Sequence, residues 1–269
     1  LGLMASFGNS ASGGSFVRSV MHVAGEELSF SDEPNAQKKV VLDVVAVTLD
    51  EKNEVVDEFT RTHTLKVDAQ TAARIMRDGF VYTADIPIKK SGSYNFRVAV
   101  RDANSKLIGT AGQAVQIPDL KRSDVFLSGL TVSGVDQNGK FETVGPTTAE
   151  TAITLPTSHA TPSIRQFRPG SVVAYAYSVY NARTDKTSGK PNLAVTVNIY
   201  RDGKLILPGN ENPAQLETQP DWTRISDYGF VRLNPQAEPG DYAVQVIVKD
   251  LLGGKNAVTS QWIDLEVKN

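Results

Sequence analysis

The chain contains no cysteine. Disulfide staples, thiolate metal sites and cysteine nucleophiles are therefore excluded together. Secretion is not excluded, because a sandwich with a full core needs no disulfide. Long hydrophobic runs are also missing: no segment approaches the ~18 apolar residues that a membrane helix requires, and no membrane span is expected. Charge of one sign is missing too. The formal net charge is −2, which gives no bulk electrostatic attraction to nucleic acid or an anionic membrane. Motifs of catalysis are absent as well. There is no Gly-x-Ser-x-Gly elbow, no Walker loop and no dinucleotide fingerprint. The Gly253-Gly254-Lys255 stretch lacks a further glycine at phosphate-loop spacing and reads as a hairpin turn.

The composition itself is that of an ordinary globular protein, with 40% hydrophobic and 22% charged residues in 269. That length suits two domains, each long enough to bury its own core. The chain starts at Leu1 without a signal-like segment, so a mature or excised part of a longer protein is expected.

The dominant pattern is apolar/polar alternation over short runs, broken by turn residues. Leu42, Val44, Ala46 and Thr48 alternate with Val41, Asp43, Val45 and Val47, and the turn Asp50-Glu51-Lys52-Asn53 closes a hairpin. Tyr94, Phe96, Val98 and Val100 point one way, and the turn Asp102-Ala103-Asn104-Ser105 leads into a run from Leu107 to Ile117. The same reasoning predicts strands near 16–23, 80–88, 125–133, 171–181, 192–200, 225–233, 241–249 and 258–267. One helix is expected, over Ala69 to Arg77, capped by Asp68 and ended by Gly79. Being only two to three turns, it reads as an inter-strand connection rather than a core element.

An internal repeat organises these pieces. Gly14-Ser15-Phe16-Val17 through Val23 resembles Gly170-Ser171-Val172-Val173 through Val179. Leu42-Asp43-Val44-Val45-Ala46-Val47 resembles Leu193-Ala194-Val195-Thr196-Val197-Asn198. Gly92-Ser93-Tyr94 with Val98, Val100 and Asp102 matches Gly240-Asp241-Tyr242 with Val246, Val248 and Asp250. The order is the same and the offset nearly constant. The expected architecture is all-β: two tandem immunoglobulin- or fibronectin-III-like sandwiches, with the short helix in the first. Domain 1 covers 1–118, with 1–13 as an extension or edge strand. A polar linker at 119–124 follows, and domain 2 covers 125–269 with long loops at 134–168 and 207–224. In the repeated Gly-x-Tyr pattern, the tyrosines Tyr94 and Tyr242 fit a tyrosine corner, burying the ring and bonding the hydroxyl back to the preceding loop.

Candidates for chemistry are few. His22, His63 and His159 share no ligand spacing and read as isolated histidines. The carboxylate pairs Asp57-Glu58 and Glu26-Glu27 read as solvated strand ends rather than as the two acids of a glycosidase. Calcium is the ion that Asp102, Asn104, Asp119 and Asp124 would suit; turn and capping duty is the competing account for the same side chains. Among the aromatics, Tyr175, Tyr177 and Trp262 read as core. Trp222 sits among the polar, turn-like residues Gln219-Pro220-Asp221 and has the better claim to a surface role. With Tyr228 it forms the candidate ligand-binding pair, at the long-loop end of domain 2.

Several stretches are similar to the C-terminal region of bacterial secreted proteins that carry a von Willebrand factor A-type domain. They are Gly14 to Ser19, Leu42 to Thr48, Gly92-Ser93-Tyr94 to Asp102, Leu127-Ser128-Gly129-Leu130, Val179-Tyr180-Asn181-Ala182 and Tyr200-Arg201-Asp202-Gly203-Lys204. The resemblance covers about 14 to 267 and rests on strand and turn signatures. The Asp-x-Ser-x-Ser start of the A-type domain's metal site occurs nowhere in the chain, so no ligand residue carries over. The resemblance implies an extracellular, cell-surface or periplasmic location and an accessory role near adhesion or assembly. Three function classes stay open. The first is a non-enzymatic structural or protein-interaction module, self-assembling or binding other subunits through edge strands. The second is a carbohydrate- or surface-polymer-binding module. The third is an enzyme with an unrecognised site.

Overall fold

A computed structural model of the chain describes residues 1–135, 151–156, 158–214, 216, 218–219, 221–254 and 257–269. The chain forms two compact units. Unit 1 holds Leu1–Phe7, Gly14–Ile117 and the described residues of Val144–Ser158; unit 2 holds Gly8–Gly13, the described residues of Pro118–Thr143, and His159–Asn269. The class is all-β, with a single α-helix among the described residues.

In chain order the first strands are β1 (Gly2–Ser10), β2 (Gly14–Val23), β3 (Ser31–Glu33), β4 (Gln37–Leu49) and β5 (Val55–Asp68). The helix α1 (Ala69–Asp78) follows, then β6 (Phe80–Pro87), β7 (Gly92–Asp102) and β8 (Ile108–Ile117). Next come β9 (Phe126–Leu127), β10 (Thr131–Gly134), β11 (Thr151–Thr154), β12 (Gln166–Phe167) and β13 (Val172–Tyr180). The chain ends with β14 (Leu193–Arg201), β15 (Lys204–Leu207), β16 (Asn212–Pro213), β17 (Arg224–Arg232), β18 (Gly240–Asp250) and β19 (Val258–Val267).

Unit 1 is a sandwich of two sheets, ordered β1-β2-β6-β11 and β3-β4-β7-β8, with β5 on the free side of β4. Unit 2 repeats the plan with β10-β13-β17 and β12-β19-β18-β14-β15, where β9 adds to β13 and β16 to β14. The sequence repeat is a repeat of register. Leu42 pairs with Asp102 across β4 and β7, and Leu193 pairs with Asp250 across β14 and β18. The alternation reads directly as burial: Leu42, Val44, Ala46, Thr48, Phe96, Val98 and Val100 all face the unit 1 core. Their counterparts Leu193, Ile199, Val244, Val246 and Val248 face the core of unit 2. Packing one apolar face of each sheet on the other is what stabilises each unit.

Helix α1 has the expected ends. Asp68 accepts from the Thr71 N–H at 2.6 Å, and Gly79, at φ 70°, donates its N–H to Ile75. It joins β5 to β6, and it also buries Ala72 and Ile75, so it is a packed part of unit 1 rather than a bare connection.

Three other expectations need correction. The run at 125–133 is not one strand but two, β9 and β10, both paired with β13. The loop expected at 134–168 contains β11, which pairs antiparallel with β6, Thr151 opposite Ala84, and β12, which pairs parallel with β19. Residues 136–150 and 157 of that loop lie outside the described residues. The loop expected at 207–224 contains β16, paired with β14. Strands of two to four residues have too little alternation to be read locally. Their partners' ladders stabilise them.

Candidate functional site

Each unit carries the same corner. Tyr94 Oη donates to the carbonyl of Lys90 at 3.0 Å, and Tyr242 Oη donates to that of Glu238 at 2.8 Å. Both rings are buried. Two residues earlier, Gly92 at φ 152° and Gly240 at φ 148° take backbone angles that favour glycine. Each unit also carries the same cap at the far end of that strand. Asp102 is 3% exposed and accepts from Ser29 N at 2.7 Å and Asn104 N at 2.8 Å. Asp250 is 4% exposed and accepts from Arg183 N at 2.8 Å and Leu252 N at 3.0 Å. One carboxylate oxygen holds the following turn and the other holds a distant loop. The parts that the repeat preserves thus serve the frame.

The residues considered for calcium are occupied in the same way. Asn104 Nδ2 donates to Ser29 O, Asp119 accepts from Lys121 N at 3.1 Å, and Asp124 pairs with Arg122 at 2.7 Å. Among the described residues no group of three or more His, Asp or Glu side chains could hold a metal ion. His63 Nε2 lies 2.9 Å from Tyr82 Oη, bringing β5 against β6 inside unit 1. Burial, with the Arg61 charge behind it, holds the His63 pKa below the ordinary imidazole value. Glu26, Glu27 and Glu58 are exposed.

The aromatics divide differently from expectation. Tyr175 and Tyr177 are core, with parallel rings 6.3 Å apart, and Tyr177 Oη donates to Asp227 at 2.5 Å. Burial pushes the Tyr175 hydroxyl up to about 12, with Asp227 adding to the shift. Trp222, expected at the surface, is only partly exposed and packs against the unit 2 core. Tyr228 is exposed, edge-on to exposed Phe230 at 5.8 Å. Trp222 thus packs inward while Tyr228 is exposed. Trp262, expected in the core, is 49% exposed. The reason is parity: Ile263, Leu265 and Val267 fill the core, so Trp262 faces out.

On that outward face three side chains form one row across three strands: Asn198 of β14, Gln245 of β18 and Trp262 of β19. Tyr200 leans in diagonally, its ring 4.7 Å from the indole and its hydroxyl 3.2 Å from Gln245 Oε1. Asn198 Oδ1 accepts from Gly209 N at 3.0 Å, and its Nδ2 donates to Gln245 Oε1 at 2.9 Å. The corresponding row of unit 1 is Val47, Arg97 and Gly112, with no aromatic and no amide. The two units share corners, caps and cores, and differ on this face. Sequence reasoning missed this group, although the alternation of Ile263, Leu265 and Val267 was enough to place Trp262 outside.

Fold and geometry together define a two-unit, immunoglobulin-like β-sandwich protein. No protein-family model and no curated protein matches the sequence. Among solved structures the chain is similar to the fibronectin(III)-like modules of Clostridium thermocellum CbhA, at 14% identity over 93% of this chain and 94% of that one, with a TM-score of 0.21. It is also similar to the C-terminal domain of the Streptococcus agalactiae antigen I/II polypeptide BspA, at 10% identity over 95% and 92%, TM-score 0.24. A third likeness is to the C-terminal domain of the Streptococcus pyogenes antigen I/II-family protein AspA, at 10% identity over 100% and 99%, TM-score 0.24. Likeness at these scores says nothing of function. No helix among the described residues is long and apolar enough to cross a membrane.

Proposed function

We propose that this chain is a non-catalytic structural or protein-interaction module of an exported or cell-surface protein, of the kind that accompanies a von Willebrand factor A-type domain. The observation that carries the reading is what the repeat preserves. Corner, cap and core recur in both units, and each is accounted for by folding. Duplicated frames of this kind suit a spacer or scaffold. Long free edges favour contact with other proteins: β5 runs from Val55 to Asp68 and, among the described residues, pairs only with β4. No strand among the described residues covers its far side, which suits the addition of a partner strand.

The test is the mass of the natively purified protein by light scattering across a dilution series, with and without calcium. An assembly that resists dilution, and is lost when Thr62→Pro interrupts β5, is the expected result. A monomer at every concentration that also takes up no partner protein sinks the reading.

A further inference from the structure

We infer that the outward face of β14, β18 and β19 in unit 2 is a carbohydrate-binding platform, with Trp262 as the stacking surface and Gln245 as the hydrogen-bond donor. The inference does not depend on the scaffold reading above.

The hydrogen-bond chain leaves no choice about which way Gln245 points. The Gly209 N–H is a donor only, so Asn198 presents its oxygen to it and turns its Nδ2 toward Gln245. Gln245 must then present Oε1 to that Nδ2, where Tyr200 Oη also donates. Its Nε2 is left with two N–H donors and no partner among the described residues. Those donors stand beside an indole that is 49% exposed and is steadied by Tyr200 at 4.7 Å. The next row holds Tyr200, Ala243 and Asp264, the last with a side chain 82% exposed whose Oδ2 pairs with Arg165 at 3.1 Å, leaving Oδ1 to accept from a hydroxyl.

A pyranose ring has matching chemistry. One face carries C–H groups, which bury against an aromatic ring, while its rim carries hydroxyls that both donate and accept. A purely apolar partner would cover the Gln245 amide without offering an acceptor, leaving its donors desolvated and unpaired. The row crosses three neighbouring strands, an extent that suits a chain of linked sugars rather than one small molecule. Unit 1 gives an internal contrast. Its equivalent row is Val47, Arg97 and Gly112, so the frame needs neither the tryptophan nor the amides. A half-exposed Trp262 steadied by the partly buried Tyr200, a pair the fold does not require, points to a ligand.

The chain has two tryptophans. A Trp222→Phe variant of the whole chain therefore makes Trp262 the sole indole reporter. Its emission would be titrated with cellohexaose, xylohexaose, mannohexaose and chitohexaose up to about 10 mM, a range that captures weak single-site binding. The expected result is a saturable change with at least one of them. In calorimetry with that sugar on the otherwise unchanged chain, Trp262→Ala should weaken binding by roughly tenfold or more, and Gln245→Leu by several-fold. Both variants should keep the parent circular dichroism, because both side chains face outward. No emission change with any of the four sugars overturns the proposal. So does binding that Trp262→Ala leaves intact, or self-association that Trp262→Ala abolishes, which would assign the face to a second copy of the chain.

Discussion

Tyr94 Oη reaches the carbonyl of Lys90, four residues back, and Tyr242 Oη reaches that of Glu238, also four residues back. The two bonds tie the start of the same strand to the same loop in each unit. Replacing either tyrosine by phenylalanine keeps the ring and removes the donor. A loss of about 0.5–1.5 kcal/mol is expected from each, the net worth of one part-buried hydrogen bond. Both tryptophans lie in unit 2. The Tyr242→Phe loss should therefore appear in urea unfolding followed by indole emission. Unchanged midpoints for both variants would show the corner to be incidental.

The caps make a stronger prediction. Asp102 and Asp250 each accept two backbone N–H groups while almost wholly buried. Alanine at either position strands both donors and should cost about 2–4 kcal/mol. Asparagine keeps one acceptor oxygen and should cost about half of that. Calorimetric melting of the four variants gives the order Asp, Asn, Ala if the carboxylates act through these bonds. Equal losses for Asn and Ala would assign the effect to charge instead.

Acid should weaken unit 1 before it titrates the carboxylates. His63 has a folded pKa below its ordinary value of 6.5, because burial next to Tyr82 disfavours the charged ring. In the window between the lowered folded value and 6.5, the unfolded chain binds more protons than the folded one. Stability therefore falls as pH drops below 6.5, down to the folded pKa. Asp43, Asp68 and Glu33 also sit below their ordinary values, held by Arg101, by the helix N-terminus at Thr71 and by Lys39. Their contribution is present above pH 4–5 and is lost only below that. Urea midpoints between pH 7.5 and 5.5 should fall in the parent chain and flatten in His63→Gln. A parallel fall in both would remove His63 from the account.

Much of this frame is legible in the residues because it is local. Gly-x-Tyr turns, the Asp68 cap and period-two alternation all act over a few positions, and their repetition exposes the duplication. What the residues hide is decided by distant partners. β11 lies in a Thr- and Ser-rich stretch and exists because β6 offers it a ladder. Trp222 has polar neighbours in sequence, yet its ring folds back onto the unit 2 core. Trp262 looks like core by residue type and is outside by parity. Local polarity misled at the first tryptophan, and residue type misled at the second. Strand phase, counted from Val267, is the signal that governs both sheet faces there.

Phase also places Gly229 directly opposite Tyr175 on the neighbouring strand. A Cβ at Gly229 would come within 2.2 Å of Tyr175 Oη and 2.5 Å of its Cζ. The ring cannot retreat easily, since it is buried and lies parallel to Tyr177, whose hydroxyl is held by Asp227. Gly229→Ala should therefore cost about 1–3 kcal/mol as overpacking. Tyr175→Ala alone should cost about 3–5 kcal/mol, in line with other buried aromatic truncations. In the double variant the new methyl enters the space the ring has left. Its cost should fall below the sum of the two single losses by about 1 kcal/mol or more. Urea unfolding of the three variants measures this directly. Simple additivity would mean that Gly229 is needed for its backbone alone, and that the ring does not rest on it.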